Sequence, residues 1–243
     1  MRVAAVQLRI EPGRRAATLQ AALAAVDRAS RTDPAPDLIV LPAFCDVPEV
    51  LAGESRGGEP LQGPTVAAMA HRARQWGVFI CLGMARQSDE GRLRLATVLL
   101  DRDGDVRADH HAARLKGGML ECFAPAGGYV RVECLLGGIV PAAGPDLEDD
   151  GLWDAAAGAD VVVAPSCFLP APRHPTPDRE TLCIAVRQAA KRANVGCVLA
   201  DVMTAADGQT RIADGRSMII DRSGGLVASS RPNQADILWA CLT

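Results

Sequence analysis

The feature that most constrains this chain is a set of short, almost wholly apolar runs, each bounded by proline, glycine or a polar residue. They read DLIVLP (37–42), VFICLGMA (78–85), DVVVAPS (160–166) and GCVLADVM (196–203). Runs this short with no polar alternation fit strands covered on both faces. Between and around them, apolar residues recur at helical spacing in RRAATLQAALAAVDRAS (14–30), GPTVAAMAHRARQWG (63–77) and DRETLCIAVRQAAKRANV (178–195). Thr65 suits an early helical turn and Gly77 a stop. Alternating strands and helices predict a layered α/β sandwich. RVAAVQL (2–8) and DILWACL (236–242) add a strand at each end, and DRDGDV (101–106) and RSMIIDRSGGLVAS (216–229) read as hairpins. VECLLGGIV (132–140) is read as one strand, GCVLADVM as another, and DLEDDGLWDAAAGA (146–159) as an acidic helix.

A length of 243 residues with no internal repeat and no linker predicts one domain over 1–243. Hydrophobic residues make up 49% and charged residues 23%, with a formal net charge of -3, so the composition carries no nucleic-acid footprint and no polybasic membrane surface. No apolar run approaches the roughly 18 to 20 residues that cross a bilayer. The first residues, MRVAAVQLRIEPG, turn polar too soon for a signal peptide, and the expected location is the cytoplasm. The 8 cysteines include no C-x-x-C pair, which argues against a zinc ribbon or a thioredoxin-like motif. Cys81, Cys183, Cys197 and Cys241 lie in apolar runs and read as small core residues. Neither a metal nor a cofactor is expected.

Six of these segments, VAAVQL, DLIVLP, TVAAMAHRARQWGVFICLG, LLDRDGDV, GADVVVAPS and GRSMIIDRSGGLVAS, resemble the nitrilase (carbon-nitrogen hydrolase) superfamily in its order and close to its spacing. The resemblance covers nearly the whole chain. It implies a four-layer αββα sandwich that pairs through its helical faces into an eight-layer homodimer. It also implies a mechanism: a glutamate takes a thiol proton, the cysteine attacks a nitrile, amide or carbamoyl carbon, and a lysine stabilises the developing charge.

Against that pattern three positions stand out. The family's glutamate follows the strand as LPE, and here the strand reads LPA, with Ala43. Asp46 and Glu49 stand further into the loop, where a carboxylate would approach from another direction. The family's lysine, counted from Gly104, falls on Ala112, with Lys116 four residues on and Arg114 between. The nucleophile, counted back from Gly158, falls on Ala142 or Pro141, and no cysteine occurs from Leu135 to Ser166. Cys134 would lie at the other end of the same strand, roughly 20 Å away at about 3.3 Å per residue. Leu95 also replaces a residue that is usually asparagine.

The resemblance therefore points to a degenerate member, a pseudoenzyme that binds. Its expected partners are a second copy of itself, an active enzyme in a hetero-complex, or a small amide- or carboxylate-like ligand. The alternative is a hydrolase with a relocated nucleophile, Cys45 or Cys167, helped by Lys116 or by His110, His111 or His174. The acidic run DLEDD, with Asp154, reads as a first helical turn complementing a helix N-terminus.

Overall fold

Apolar runs that must be covered on both faces find their cover here in two stacked sheets with helices outside each. The computed structural model describes residues 1–11, 13–46, 57–88, 91–116, 119–167, 179–204, 213 and 215–243. In chain order the strands are β1 (Arg2–Ile10), β2 (Leu38–Val40), β3 (Phe79–Gln87), β4 (Leu93–Leu100), β5 (Val106–His111), β6 (Val132–Cys134), β7 (Gly137–Pro141), β8 (Val161–Pro165), β9 (Gly196–Ala200), β10 (Val202–Thr204), β11 (Met218–Ile220), β12 (Leu226–Ser229) and β13 (Asp236–Cys241). The helices are α1 (Arg15–Ser30), α2 (Pro64–Trp76), α3 (Met119–Cys122), α4 (Asp150–Ala155) and α5 (Arg179–Ala193), with a 3₁₀ turn at Gly144–Glu148.

A seven-stranded sheet runs β10-β1-β2-β3-β4-β5, with β13 also on β1, and a six-stranded sheet runs β12-β11-β9-β8-β7-β6. Both are mixed, with β1, β2 and β3 parallel in the first and β7, β8 and β9 parallel in the second. The period-two alternation of strand side chains divides each run between two cores. Val3, Leu38, Val40, Cys81 and Leu99 face Ile139, Val161, Val163 and Val198 between the sheets. Val6, Ile39, Ile80 and Leu82 face α1 and α2, and Val140, Val162, Leu199 and Trp153 pack with α4 and α5. Four layers in the order αββα result, as the family resemblance implied.

Three segments differ from the sequence reading. VECLLGGIV is a hairpin, not one strand: β6 turns back on β7 so that Cys134 pairs with Gly137, which has φ 99. Left-handed backbone at a glycine makes that reversal inexpensive. GCVLADVM is two strands in different sheets, with β9 in the second and β10 beside β1 in the first. The crossing is made at Asp201, whose N–H donates to Ser217 Oγ (2.9 Å) and whose carboxylate accepts from Val202 N–H (3.0 Å). The acidic helix is a 3₁₀ turn followed by the short α4, capped by Asp149, which accepts from Gly151 N–H. Cys241, expected in the core, is exposed at the end of β13, and Cys183 is half-buried.

Gln7 ties the first strand to the C-terminal segment. Its amide nitrogen donates to the carbonyls of Arg231 (2.9 Å) and Gln234 (2.8 Å), and its oxygen accepts from Ser217 N–H (3.2 Å) and Ser230 Oγ (2.7 Å). Gly215 packs so closely that a Cβ there would lie 2.3 Å from the Gln7 amide carbon. Gln7→Ala is expected to lower the unfolding free energy by about 3 kcal/mol, the scale of two buried polar groups left unpaired. Urea denaturation at unchanged m-value checks it.

Candidate functional site

Ala43 comes just after β2, where Pro42 ends the strand. Its N–H donates to the Ser166 carbonyl beyond β8 (3.1 Å), so the ends of β2 and β8 meet here. Gly83 on β3 allows this approach: a Cβ on it would stand 2.8 Å from the Ala43 Cα and 2.7 Å from Pro165 Cβ. Ala112 follows β5, with its N–H on the Leu95 carbonyl (2.8 Å) and its carbonyl accepting from Ala126 N–H (3.0 Å). After β7, Ala142 and Ala143 lead into the 3₁₀ turn. Gly144 lies so close to Ser166 that a Cβ there would be 2.2 Å from its Oγ.

Two of the positions singled out by sequence, Ala43 and Ala112, are thus buried at one end of the sandwich, together with Ala143, the residue after those that counting reached. Ala43, Ala112 and Ala143 belong to one apolar cluster together with Leu95, Met119, Phe123, Phe44, Cys45 and Cys167. Ala142 turns instead into the core under α4 and α5, with its carbonyl accepting from Thr97 Oγ1 (2.9 Å). Pro141 is the last residue of β7. The side chain that joins Ala43 and Ala112 is therefore one residue beyond the two that counting reached. A methyl group neither donates, accepts nor titrates, so these three side chains offer no base, cation or nucleophile.

Phe44 fills the next place with backbone φ 60. For a bulky residue this left-handed conformation is an outlier, costing on the order of 1–3 kcal/mol. Its ring stacks on that of Phe123, with centroids 5.7 Å apart and planes at 15°.

The other candidates are occupied elsewhere or buried. Cys45 is fully buried with its Sγ toward the Pro42 carbonyl (3.4 Å), and burial, reinforced by the Asp46 carboxylate, pushes its thiol far up. Burial and Asp201 do the same to Cys167. Burial of this kind disfavours the thiolate that attack requires. Lys116 is half exposed and paired with Glu148, and Arg114 Nη1 lies 3.7 Å from Asp149. Asp46 is buried, with both carboxylate oxygens toward Ala85 N–H. His111 Nε2 stands 3.3 Å from Asp109, and Cys134 lies on β6 opposite Gly137, at the end of β7 away from Pro141 as counting placed it but on a separate strand. Asp154 is exposed on α4. Glu49 and His174 lie outside the described residues. Among the described residues no group of three or more His, Cys, Asp or Glu could hold a metal, and no helix is long and apolar enough to cross a membrane.

Sequence reasoning missed Asp146. Within DLEDD it reads as one acid of a first helical turn, yet it is fully buried. Its Oδ1 accepts from Ala113 N–H (3.0 Å), Arg114 N–H (2.9 Å) and Tyr129 Oη (3.4 Å), while Oδ2 accepts from Ala143 N–H (2.9 Å) and meets His110 Nε2 (2.9 Å). The carboxylate reaching back to the N–H three residues earlier is the acidic arm of a capping box. Nothing in the run of acids distinguishes it from its neighbours. Tyr129 stacks on His110 at 5.7 Å and also donates to Asp149 (2.9 Å). That bond and the Gly151 N–H hold Asp149 below the usual carboxylate range.

Comparison with known proteins agrees with the architecture. The profile of the family described as Carbon-nitrogen hydrolase matches residues 2–242. The chain belongs to the carbon-nitrogen hydrolase family. Its fold is similar to that of a mutant of the amidase from Nesterenkonia sp. AN1, solved with acrylamide added to its active-site cysteine; identity is 18%, coverage 100% of this chain and 93% of that one, and the TM-score 0.83. It is similar to Nit3 of Saccharomyces cerevisiae, a member of branch 10 of the nitrilase superfamily, at 21% identity, 99% and 89% coverage and a TM-score of 0.82. A carbon-nitrogen hydrolase from Helicobacter pylori G27 matches at 15% identity, 99% and 88% coverage and a TM-score of 0.82. No curated protein matches the chain by sequence.

Two predictions follow from the buried carboxylate. Asp146→Ala orphans three backbone N–H groups and should cost about 3 kcal/mol or more of stability. Asp146→Asn, which keeps one acceptor oxygen, should cost less in the same denaturation experiment. Tyr129 is the chain's one tyrosine. Burial, then the Asp146 carboxylate, push its hydroxyl well above its ordinary value near 10. Its raised folded value means that this stability is fully present below about pH 10 and is lost as pH rises toward that value. Ultraviolet titration should show tyrosinate only above pH 10 in the folded chain, and near 10 in denaturant.

Proposed function

We propose that this chain is a carbon-nitrogen hydrolase fold turned from catalysis to binding, a pseudoenzyme without hydrolase activity. The observation that carries the reading is that Ala43 and Ala112, where the family resemblance calls for a base and a cation, are buried in one apolar cluster with Ala143, and that the counted nucleophile places, Pro141 and Ala142, carry no nucleophile either. An active-site cysteine is named for the Nesterenkonia amidase; here no cysteine stands between Leu135 and Ser166. General base catalysis and nucleophilic catalysis each need a titrating or lone-pair group within hydrogen-bond reach of the reacting atom, and a methyl supplies neither.

In this reading residues 1–243 form a single domain that works in the cytoplasm without a cofactor. It pairs through its helical faces into an eight-layer homodimer. The apolar filling around the three alanines supports a protein partner, such as an active enzyme in a hetero-complex, over a small amide or carboxylate ligand, which would need polar partners inside the site. The relocated-nucleophile reading draws support only from the position of Cys45 and Cys167 in the same cluster. Their burial, and the pairing of Lys116 with Glu148, count against it.

The purified chain should release no ammonia from a panel of nitriles, amides, ureas and carbamoyl amino acids, with an active family member as control. Turnover within about a thousandfold of that control, abolished by Cys45→Ala or Cys167→Ala, would overturn the proposal. Sedimentation equilibrium should give twice the 25.5 kDa chain mass; a monomer at micromolar concentration would remove the homodimer from it.

A further inference from the structure

Two aromatic side chains, Phe44 and Phe123, share the apolar cluster of the three alanines and connect its two sides. Phe44 follows Ala43 directly, in the segment whose N–H is bonded to the Ser166 carbonyl. Phe123 begins the segment in which Ala124 N–H donates to the Leu93 carbonyl (3.0 Å) and Ala126 N–H to that of Ala112 (3.0 Å). The stack of the two rings at 5.7 Å therefore joins the Ala43 side of the site to the Ala112 side. It does so with Phe44 held at φ 60, a conformation that a bulky residue keeps only where its surroundings over-determine it. Cys45 and Cys167, at 0% and 2% exposure, lie in the same cluster.

We propose that the Phe44–Phe123 stack is a plug that shuts this end of the sandwich, held against backbone strain and poised to open. When the rings part, Phe44 relaxes toward an ordinary backbone conformation and the cluster opens to solvent. The thiols of Cys45 and Cys167 are then the groups uncovered. The device is independent of whether any chemistry remains at the site.

Cysteine alkylation read residue by residue tests it. The full chain, Phe123→Ala, Phe123→Leu and Phe44→Gly would be treated with N-ethylmaleimide and the labelled peptides quantified by mass spectrometry. Cys81, between the sheets, and Cys197, under α5, are equally buried and report on the rest of the fold. The expected result is a rise of at least about tenfold in the labelling of Cys45 and Cys167 over that of Cys81 and Cys197 in Phe123→Ala and Phe44→Gly. Phe123→Leu, which keeps most of the volume, should rise less. No selective rise in any variant, or a common rise of all four cysteines, would overturn the proposal.

Discussion

The carboxylate of Asp146 holds together the end of the sandwich on which everything else at the site depends. Two loops leave the strand ends there, one after β5 and one after β7, and they belong to different sheets. The Ala113 and Arg114 N–H groups of the first loop and the Ala143 N–H of the second all end on one side chain of the second loop. A single buried carboxylate accepts from Ala113 and Arg114 on one and Ala143 on the other, with His110 and Tyr129 completing its surroundings. An acceptor-only group with two oxygens suits this task, since every bond it makes is to a donor that would otherwise be buried unpaired.

Around that anchor the site is closed by subtraction of side chains. Gly83 lets the backbone at Ala43 come against β3, and Gly144 lets the 3₁₀ turn come against Ser166. Alanine at 43, 112 and 143 adds no polar atom to the interior, so the strand ends need no solvent or counter-charge between them. An interior of this kind is close-packed, and large rings complete it.

Much of the fold was legible because its signals are local. DLIVLP, VFICLGMA and DVVVAPS are strands, the three periodic segments are helices within a residue or two of their expected ends, and Gly104 turns the β4–β5 hairpin at φ 76. The errors fall where one apolar run serves two strands. In VECLLGGIV a reversal sits at Leu135 and Leu136, just before Gly137, and in GCVLADVM a change of sheet sits on Asp201. Periodicity registers that a run is buried and not which sheet buries it. The same limit explains the offset from Ala142 to Ala143, because one residue of difference after a strand end exchanges the face on which a side chain lies.

By itself the sequence determined the alternation of strands and helices, the resemblance that goes with it, and the absence of an ionisable side chain at residues 43, 112, 142 and 143. Those follow from residue identity and from spacing along the chain. Only the tertiary structure decided that Ala143 rather than Ala142 joins Ala43 and Ala112, that Asp146 leaves its acidic neighbours for the interior, and that Phe44 stacks on Phe123. Each of these depends on residues tens of positions apart, 31 from Ala112 to Ala143, 33 from Ala113 to Asp146 and 79 from Phe44 to Phe123. Pairings at that distance are set by how the two sheets stack, and hydrophobic burial, which drives the stacking, is non-directional and names no partner in advance.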